Sequence, residues 1–137
     1  TKKGTAFSKR IASPDLQMAG KTGTAQVRRI TAEERLTGVI RNEDLPWEKR
    51  DHALFVDYAP YDNPKVAVAV IVEHGGGGSS TAAPIARDIT LFALTGEMPA
   101  PSHYPAGLEA QIKEEQEELV PKLFDWSTLD KKGQVQT

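Results

Sequence analysis

The chain reads as an α+β fold, an antiparallel three-strand sheet plus a C-terminal helix. Three observations predict it. Two β-rich runs, 53–59 and 66–72, are joined by the turn sequence Tyr61-Asp62-Asn63-Pro64. A third, loosely alternating stretch at 16–30 carries the cluster Gly20-Lys21-Thr22-Gly23-Thr24. Ile85, Ile89 and Phe92 recur at i, i+4 and i+7, with Ala86 and Ala93 beside them, which is helical spacing.

The first strand tolerates Gly20 and Gly23, because glycine inside a strand marks a close backbone approach. Residues 31–51 are polar and charged, punctuated by Leu45-Pro46-Trp47. A connection that long is usually functional or mobile, and Trp47 is read as its anchor to the body. The second strand stops at Pro60. The third is nearly continuous Val, Ala and Ile, the pattern of a strand covered on both faces. A three-strand sheet with one helix covers only one face, so the missing cover implies further protein.

Gly75–Gly78 with Ser79-Ser80 forms a flexible corner, which also resembles an engineered linker. Thr81 or Ser80 is expected to cap the following helix, Pro84 suits its first turn, and Gly96 is its stop. Ile85, Ile89 and Phe92 are expected in the core. Beyond 96 the character changes. Pro99, Pro101 and Pro105 mark an extended linker, and 109–119 is acidic and helix-prone. The expected division is a folded part over 1–96, then a Pro-rich linker and an acidic, partly helical tail over 97–137.

With 137 residues there is room for one ordinary domain, and a hydrophobic share of 39% points to part of the chain being a solvated tail. The net charge of −2 argues against a general nucleic-acid binder. It hides an asymmetry. Residues 1–50 hold eleven Lys and Arg against six Asp and Glu, while 51–96 and 97–137 are both acidic. The lysine cluster lies in the basic third. There is no cysteine, which excludes disulfides, thiol catalysis and Cys-based zinc sites. His52, His74 and His103 lack metal-ligand spacing. No apolar run reaches membrane-spanning length and no signal peptide is visible. The first residues look like neither a start nor an address, and a fragment is expected.

A cation, hydroxyl donors and approachable backbone N–H groups within five residues suit an anionic ligand with a reactive carbonyl. Gly20-Lys21-Thr22 also matches the end of a phosphate-binding P-loop. That motif needs a glycine five positions earlier, where Asp15 stands, and a following helix, where Ala25-Gln26-Val27 continues as a strand.

The run from Met18 through Lys21-Thr22-Gly23-Thr24 to Val27 closely resembles the Lys-Thr-Gly box of class B penicillin-binding proteins, elongation type. Arg50 to Phe55 with Ala59-Pro60-Tyr61 resembles the family's next strand. Residues 66–73 and Gly75–Gly78 resemble its last strand and glycine corner, and 84–94 its C-terminal helix. The likeness covers about 5–96 and runs through the glycines, which disposes of the linker reading. It implies a fragment of the penicillin-binding transpeptidase and serine β-lactamase-like fold.

The resemblance implies a serine D,D-transpeptidase that cross-links D-Ala-D-Ala stem peptides and binds β-lactams. Lys21 and Thr24 would be catalytic, and Thr22, Gly23 and Thr24 would bind substrate. Lys21 would hydrogen-bond the serine of the family's second box and help proton transfer and carboxylate binding. Thr22 and Thr24 would donate hydroxyls to the carboxylate, Gly23 would permit close approach, and the Thr24 N–H would be half an oxyanion hole. Neither Ser-x-x-Lys nor Ser-x-Asn occurs, so the nucleophile must come from another segment. No metal or cofactor is implied. The implied partners are the N-terminal remainder of the same protein, a lipid-II glycosyltransferase and shape-complex scaffold proteins. The implied location is the periplasmic side of the inner membrane, with the anchor outside this chain.

His52 is read as structural rather than as a base, and Asp51 as a cap or partner at the loop end. Gln26 reaches the substrate or loop, or is strand surface. Arg28 and Arg29 are read as solvated loop charges. Two other readings stand beside the transpeptidase. One is a non-catalytic penicillin-recognition module, sensor or scaffold; the other is a β-lactamase fragment.

Overall fold

The computed structural model describes residues 4–119. Strands β1 (Ala19–Ala25), β2 (His52–Ala59) and β3 (Val66–Val72) form one antiparallel sheet in the order β1-β2-β3. Helices are α1 (Ala32–Thr37), α2 (Ala83–Thr95) and α3 (Glu109–Leu119). The three-strand reading and the 61–64 turn agree with this order. The first strand is shorter than 16–30 suggests, since a 3-10 turn at Pro14–Leu16 precedes it.

The register assigns each face. Ala53, Phe55 and Asp57 of β2 sit opposite Val72, Val70 and Val68, and they pack under α2 with Ala82, Ala83 and Ala86. The other face carries Leu54, Val56, Tyr58, Ala67, Ala69 and Ile71. It has no cover among the described residues, and Ile71 is 68% exposed. Three of the seven residues of β3 therefore face outward.

Helix α2 corrects one sequence expectation. Its buried residues are Ala83, Ala86, Arg87, Thr90 and Leu91, whereas Ile85, Ile89 and Phe92 are exposed. Small residues let the helix axis come close to the sheet, and Thr90 meets a buried carboxylate there. That contact sets the rotation of the helix and turns the larger stripe outward. The expected caps are corrected too. Neither Ser80 nor Thr81 accepts from the helix start. Their hydroxyls donate instead to Gly77 and Gly75 carbonyls, at 3.2 and 2.8 Å, within a π-helical turn at Gly78–Ala82. Pro84 does occupy the first turn, and Gly96 ends the helix at φ 75°.

The loop after β1 is ordered by a capping box. Thr31 Oγ1 accepts from the Glu34 N–H, and Glu34 accepts from the Thr31 N–H. Arg28 is not a solvated charge. It pairs with Glu34 at 2.8 Å, with both side chains largely covered. The Trp47 ring meets that of His74 at a tilt, centres 4.4 Å apart, although its indole is half exposed.

The proline-rich segment does not stand off as an extended linker. His103 accepts from the Ser13 hydroxyl or donates to it at 2.6 Å, and its carbonyl accepts from Ala12 N–H. Tyr104 then packs with Ile11, Leu91 and Ile112 of α3 in a second cluster. The remainder of the expected tail, beyond 119, lies outside the described residues.

Candidate functional site

All four sequence-derived site residues lie on β1, and β1 is an edge of the sheet. Its far side pairs with no strand among the described residues. Alternate backbone N–H and C=O groups therefore point to where an extended ligand can add as a further strand. Lys21 stands opposite Val56, Thr22 opposite Phe55, Gly23 opposite Leu54 and Thr24 opposite Ala53.

Strand alternation splits these side chains. Lys21 is on the uncovered face with Val56, while Thr22 and Thr24 share the α2 face. The Lys21 ammonium is exposed and donates to its neighbour's carbonyl, Thr22 O, at 2.7 Å. No carboxylate pairs with it among the described residues, so its charge is available at the strand edge. Thr24 is exposed, and neither threonine hydroxyl has a hydrogen-bond partner among the described residues. The edge thus offers one cation and two hydroxyls.

Gly20 starts this edge under pressure from the core. A Cβ there would lie 2.5 Å from Phe55 Cζ and 2.9 Å from the Val56 carbonyl. Beside it a cleft of about 550 Å³ runs between residues 4–10 and β1, with Arg10, Gln17, Lys21, Thr22 and Tyr61 on its walls. Arg10 is held over the Phe7 ring at 4.1 Å and donates to the Phe7 carbonyl.

The far end of β1 is tied by Asp51. Its Oδ1 accepts from Val27 N–H at 3.3 Å and its Oδ2 from the Asn42 amide at 3.2 Å. Its own N–H donates to Asn42 Oδ1 at 2.8 Å, and its carbonyl accepts from Gly76 N–H. Asp51 is therefore a partner at the loop end. His52 accepts from the His74 N–H at 2.9 Å, which makes it a structural histidine. The sequence reading missed Asn42 in this knot and Gly78 behind Gly23. Asn-to-Asp pairing across nine residues leaves no periodic trace. A run of four glycines does announce a close approach, without saying to what.

Three comparisons bear on this arrangement. The penicillin binding protein transpeptidase domain matches residues 1–91. The peptidoglycan D,D-transpeptidase MrdA of Haemophilus influenzae is 40% identical over 113 residues, which is 81% of this chain and 17% of that protein. MrdA of Escherichia coli K12 is 47% identical over 75 residues, 55% of this chain and 11% of that protein. A solved complex between penicillin-binding protein PBP2 and MreC from Helicobacter pylori shares 32% identity at a TM-score of 0.48, over 69% of this chain and 15% of that one. The chain thus spans a small fraction of the length of the relatives it matches.

Proposed function

The chain belongs to the penicillin-binding protein transpeptidase domain family, and from that premise we propose that it supplies one wall of a peptidoglycan D,D-transpeptidase active site. The observation that carries this reading is the unpaired β1 edge bearing Lys21, Thr22, Gly23 and Thr24 together.

A stem peptide ending in D-Ala-D-Ala lies along β1 as an added strand. Its terminal carboxylate meets the Thr22 and Thr24 hydroxyls on the α2 face, and the Lys21 charge acts on it across the strand edge from the other face. A serine, carried outside these 137 residues, attacks the penultimate D-alanine carbonyl. The C–N bond to the last D-alanine breaks, and the amine leaves with a proton. An amine from a second stem then attacks the acyl-enzyme ester, forms the cross-link and frees the serine. The Thr24 N–H stabilises the oxyanion in both steps, with the nucleophile's own N–H as the second donor. Lys21 bonds a serine of the family's second box, which orders proton transfer. β-Lactams acylate the same serine because their strained amide takes the place of the scissile bond.

The uncovered sheet face and the open edge of β3 fit a domain completed by the remainder of the same protein. The reaction places the site on the periplasmic side of the inner membrane, where stem peptides are. A lipid-II glycosyltransferase and shape-complex scaffold proteins are the partners this role calls for. Residues 1–96 form the transpeptidase part, and 97–137 a C-terminal extension to it.

The test is labelling of the full-length protein by a fluorescent penicillin. We expect covalent labelling of the wild type and none of Lys21→Ala. Noncovalent binding without acylation indicates a recognition module, and rapid turnover of the acyl-enzyme by water indicates a β-lactamase. Either result overturns the transpeptidase reading.

A further inference from the structure

Between β3 and α2 the chain passes through Gly75–Gly78 and the π-helical turn at Gly78–Ala82. Such turns are rare and concentrate at functional sites. Gly78 is buried here and lies directly against the backbone of β1 and β2. A Cβ on it would stand 2.6 Å from the Gly23 carbonyl oxygen and 3.1 Å from the Gly23 nitrogen, and would also strike the Leu54 carbonyl oxygen. All three neighbours are backbone atoms, so no rotamer change relieves the contact. A Cβ at Gly23 would lie 3.3 Å from Leu54 Cβ. The Gly23 backbone thus pairs with Leu54 of β2 on one side and lies directly under Gly78, with little room for a side chain at either glycine.

The corner is itself fixed in place. Thr81 Oγ1 donates to Gly75 O at 2.8 Å, and Thr81 N–H to Gly77 O at 2.9 Å. Ser79 Oγ donates to Thr5 O at 2.9 Å. Gly76 N–H donates to the Asp51 carbonyl, and Asp51 Oδ1 accepts from Val27 N–H. The corner therefore holds β1 at Gly23 and again, through Asp51, just past the strand's end.

We propose that Gly78 is a positioning residue for acyl transfer. It sets the backbone of Gly23 and Thr24, and so the aim of the N–H that stabilises the oxyanion. The inference rests on the functional reading above. Relieving contacts this short, 2.6 Å to Gly23 O among them, requires a displacement of roughly 1 Å shared among the corner, β2 and β1, given ordinary nonbonded separations. A shift of that size at an oxyanion donor slows the chemical step by about 10- to 100-fold.

The test uses full-length protein and saturation kinetics with a fluorescent penicillin. It separates the dissociation constant of the first complex, the acylation rate constant and the labelled fraction. For Gly78→Ala we expect the rate constant to fall about 10- to 100-fold while the folded molecules still label to completion. Thr81→Ala adds no atom and frees the turn; we expect acylation about 3- to 10-fold slower, the scale of one hydrogen bond. Thr81→Ser restores the hydroxyl and the wild-type rate. If Gly78→Ala does not fold, the Thr81 pair decides. A lower labelled fraction at the wild-type rate means a purely structural role and overturns the proposal, as do wild-type rates in both variants. A wild type that is not acylated overturns the functional reading, and this inference with it.

Discussion

The Thr90 hydroxyl on α2 donates to the Asp57 carboxylate on β2 at 2.8 Å, and both residues are shut between helix and sheet. Asp57 Oδ2 has no partner among the described residues. Burial raises the Asp57 pKa above its usual value, and the Thr90 bond opposes that only in part. Folding therefore favours the protonated acid more than the unfolded chain does. Stability from this group is full below the unfolded carboxylate pKa, about 3.9, and is lost as pH rises through the higher folded value. Asp57→Asn keeps an acceptor for Thr90 and removes the charge. We expect it to melt at a higher temperature than the wild type at pH 7, with the gap closing below about pH 4. Equal melting at both pH values would contradict the assignment.

Phe55 covers Gly20 so closely that no side chain fits there. Phe55 is buried in the core cluster with Ala53, Ala82, Ala83 and Ala86, so displacing its ring disturbs that packing. Gly20→Ala should cost about 1–3 kcal/mol, the usual range for overpacking. Because Lys21 is the next residue, penicillin acylation should slow as well. In a Phe55→Leu background the same substitution should cost less. A double-mutant cycle of melting temperatures checks this, and additive effects would contradict it.

The strands were legible because each carries its own signal, either β-branched density or a turn at a fixed offset. The Lys-Thr-Gly edge was legible because its chemistry is local to four residues. The rotation of α2 was not. Apolar periodicity favours Ile85, Ile89 and Phe92, but the sheet selects Ala86 and Thr90, whose small size and Asp57 contact no single-helix pattern encodes. The same holds for Tyr104. Prolines spaced along 99–105 describe a backbone preference, whereas the partners Ile11 and Leu91 lie far away in sequence. One signal was present and unused: Thr31 followed three residues later by Glu34 is a capping box, and it starts a helix inside what reads as bare loop.

That box makes the loop sensitive to acid. The Glu34 pKa is lowered, first by the Thr31 backbone N–H and then by Arg28, with burial opposing them. The contribution is present above the unfolded carboxylate pKa, about 4.3, and is lost as pH falls through the lower folded value. Glu34→Gln retains an acceptor but loses the Arg28 pair. Hydrogen exchange at the Gly38 N–H, which donates to the Glu34 carbonyl, is the readout. We expect protection to fall from wild type to Glu34→Gln to Glu34→Ala near neutral pH. Wild type and Glu34→Gln should converge in acid, and a gap that persists there would contradict the assignment.

Tyr104 closes the second core, 3% exposed against Ile11, Leu91 and Ile112. The Arg87 guanidinium sits 4.4 Å from the centre of its ring and pairs with Asp88 at 2.8 Å. Burial, then the Asp88 carboxylate, push the phenol up to about 12, with Arg87 acting in the opposite direction. The stabilisation is full below the unfolded tyrosine pKa, about 10, and is lost as pH rises through about 12. Ultraviolet titration should show one tyrosine ionising late, and Tyr104→Phe should remove that step. Tyr104→Ala should cost about 3–5 kcal/mol by leaving a cavity. Deleting 97–137 should destabilise the protein too, because it uncovers Ile11 and Leu91. A deletion with wild-type melting and labelling would mean that the segment is a passive extension, and the packing of Tyr104 argues against that.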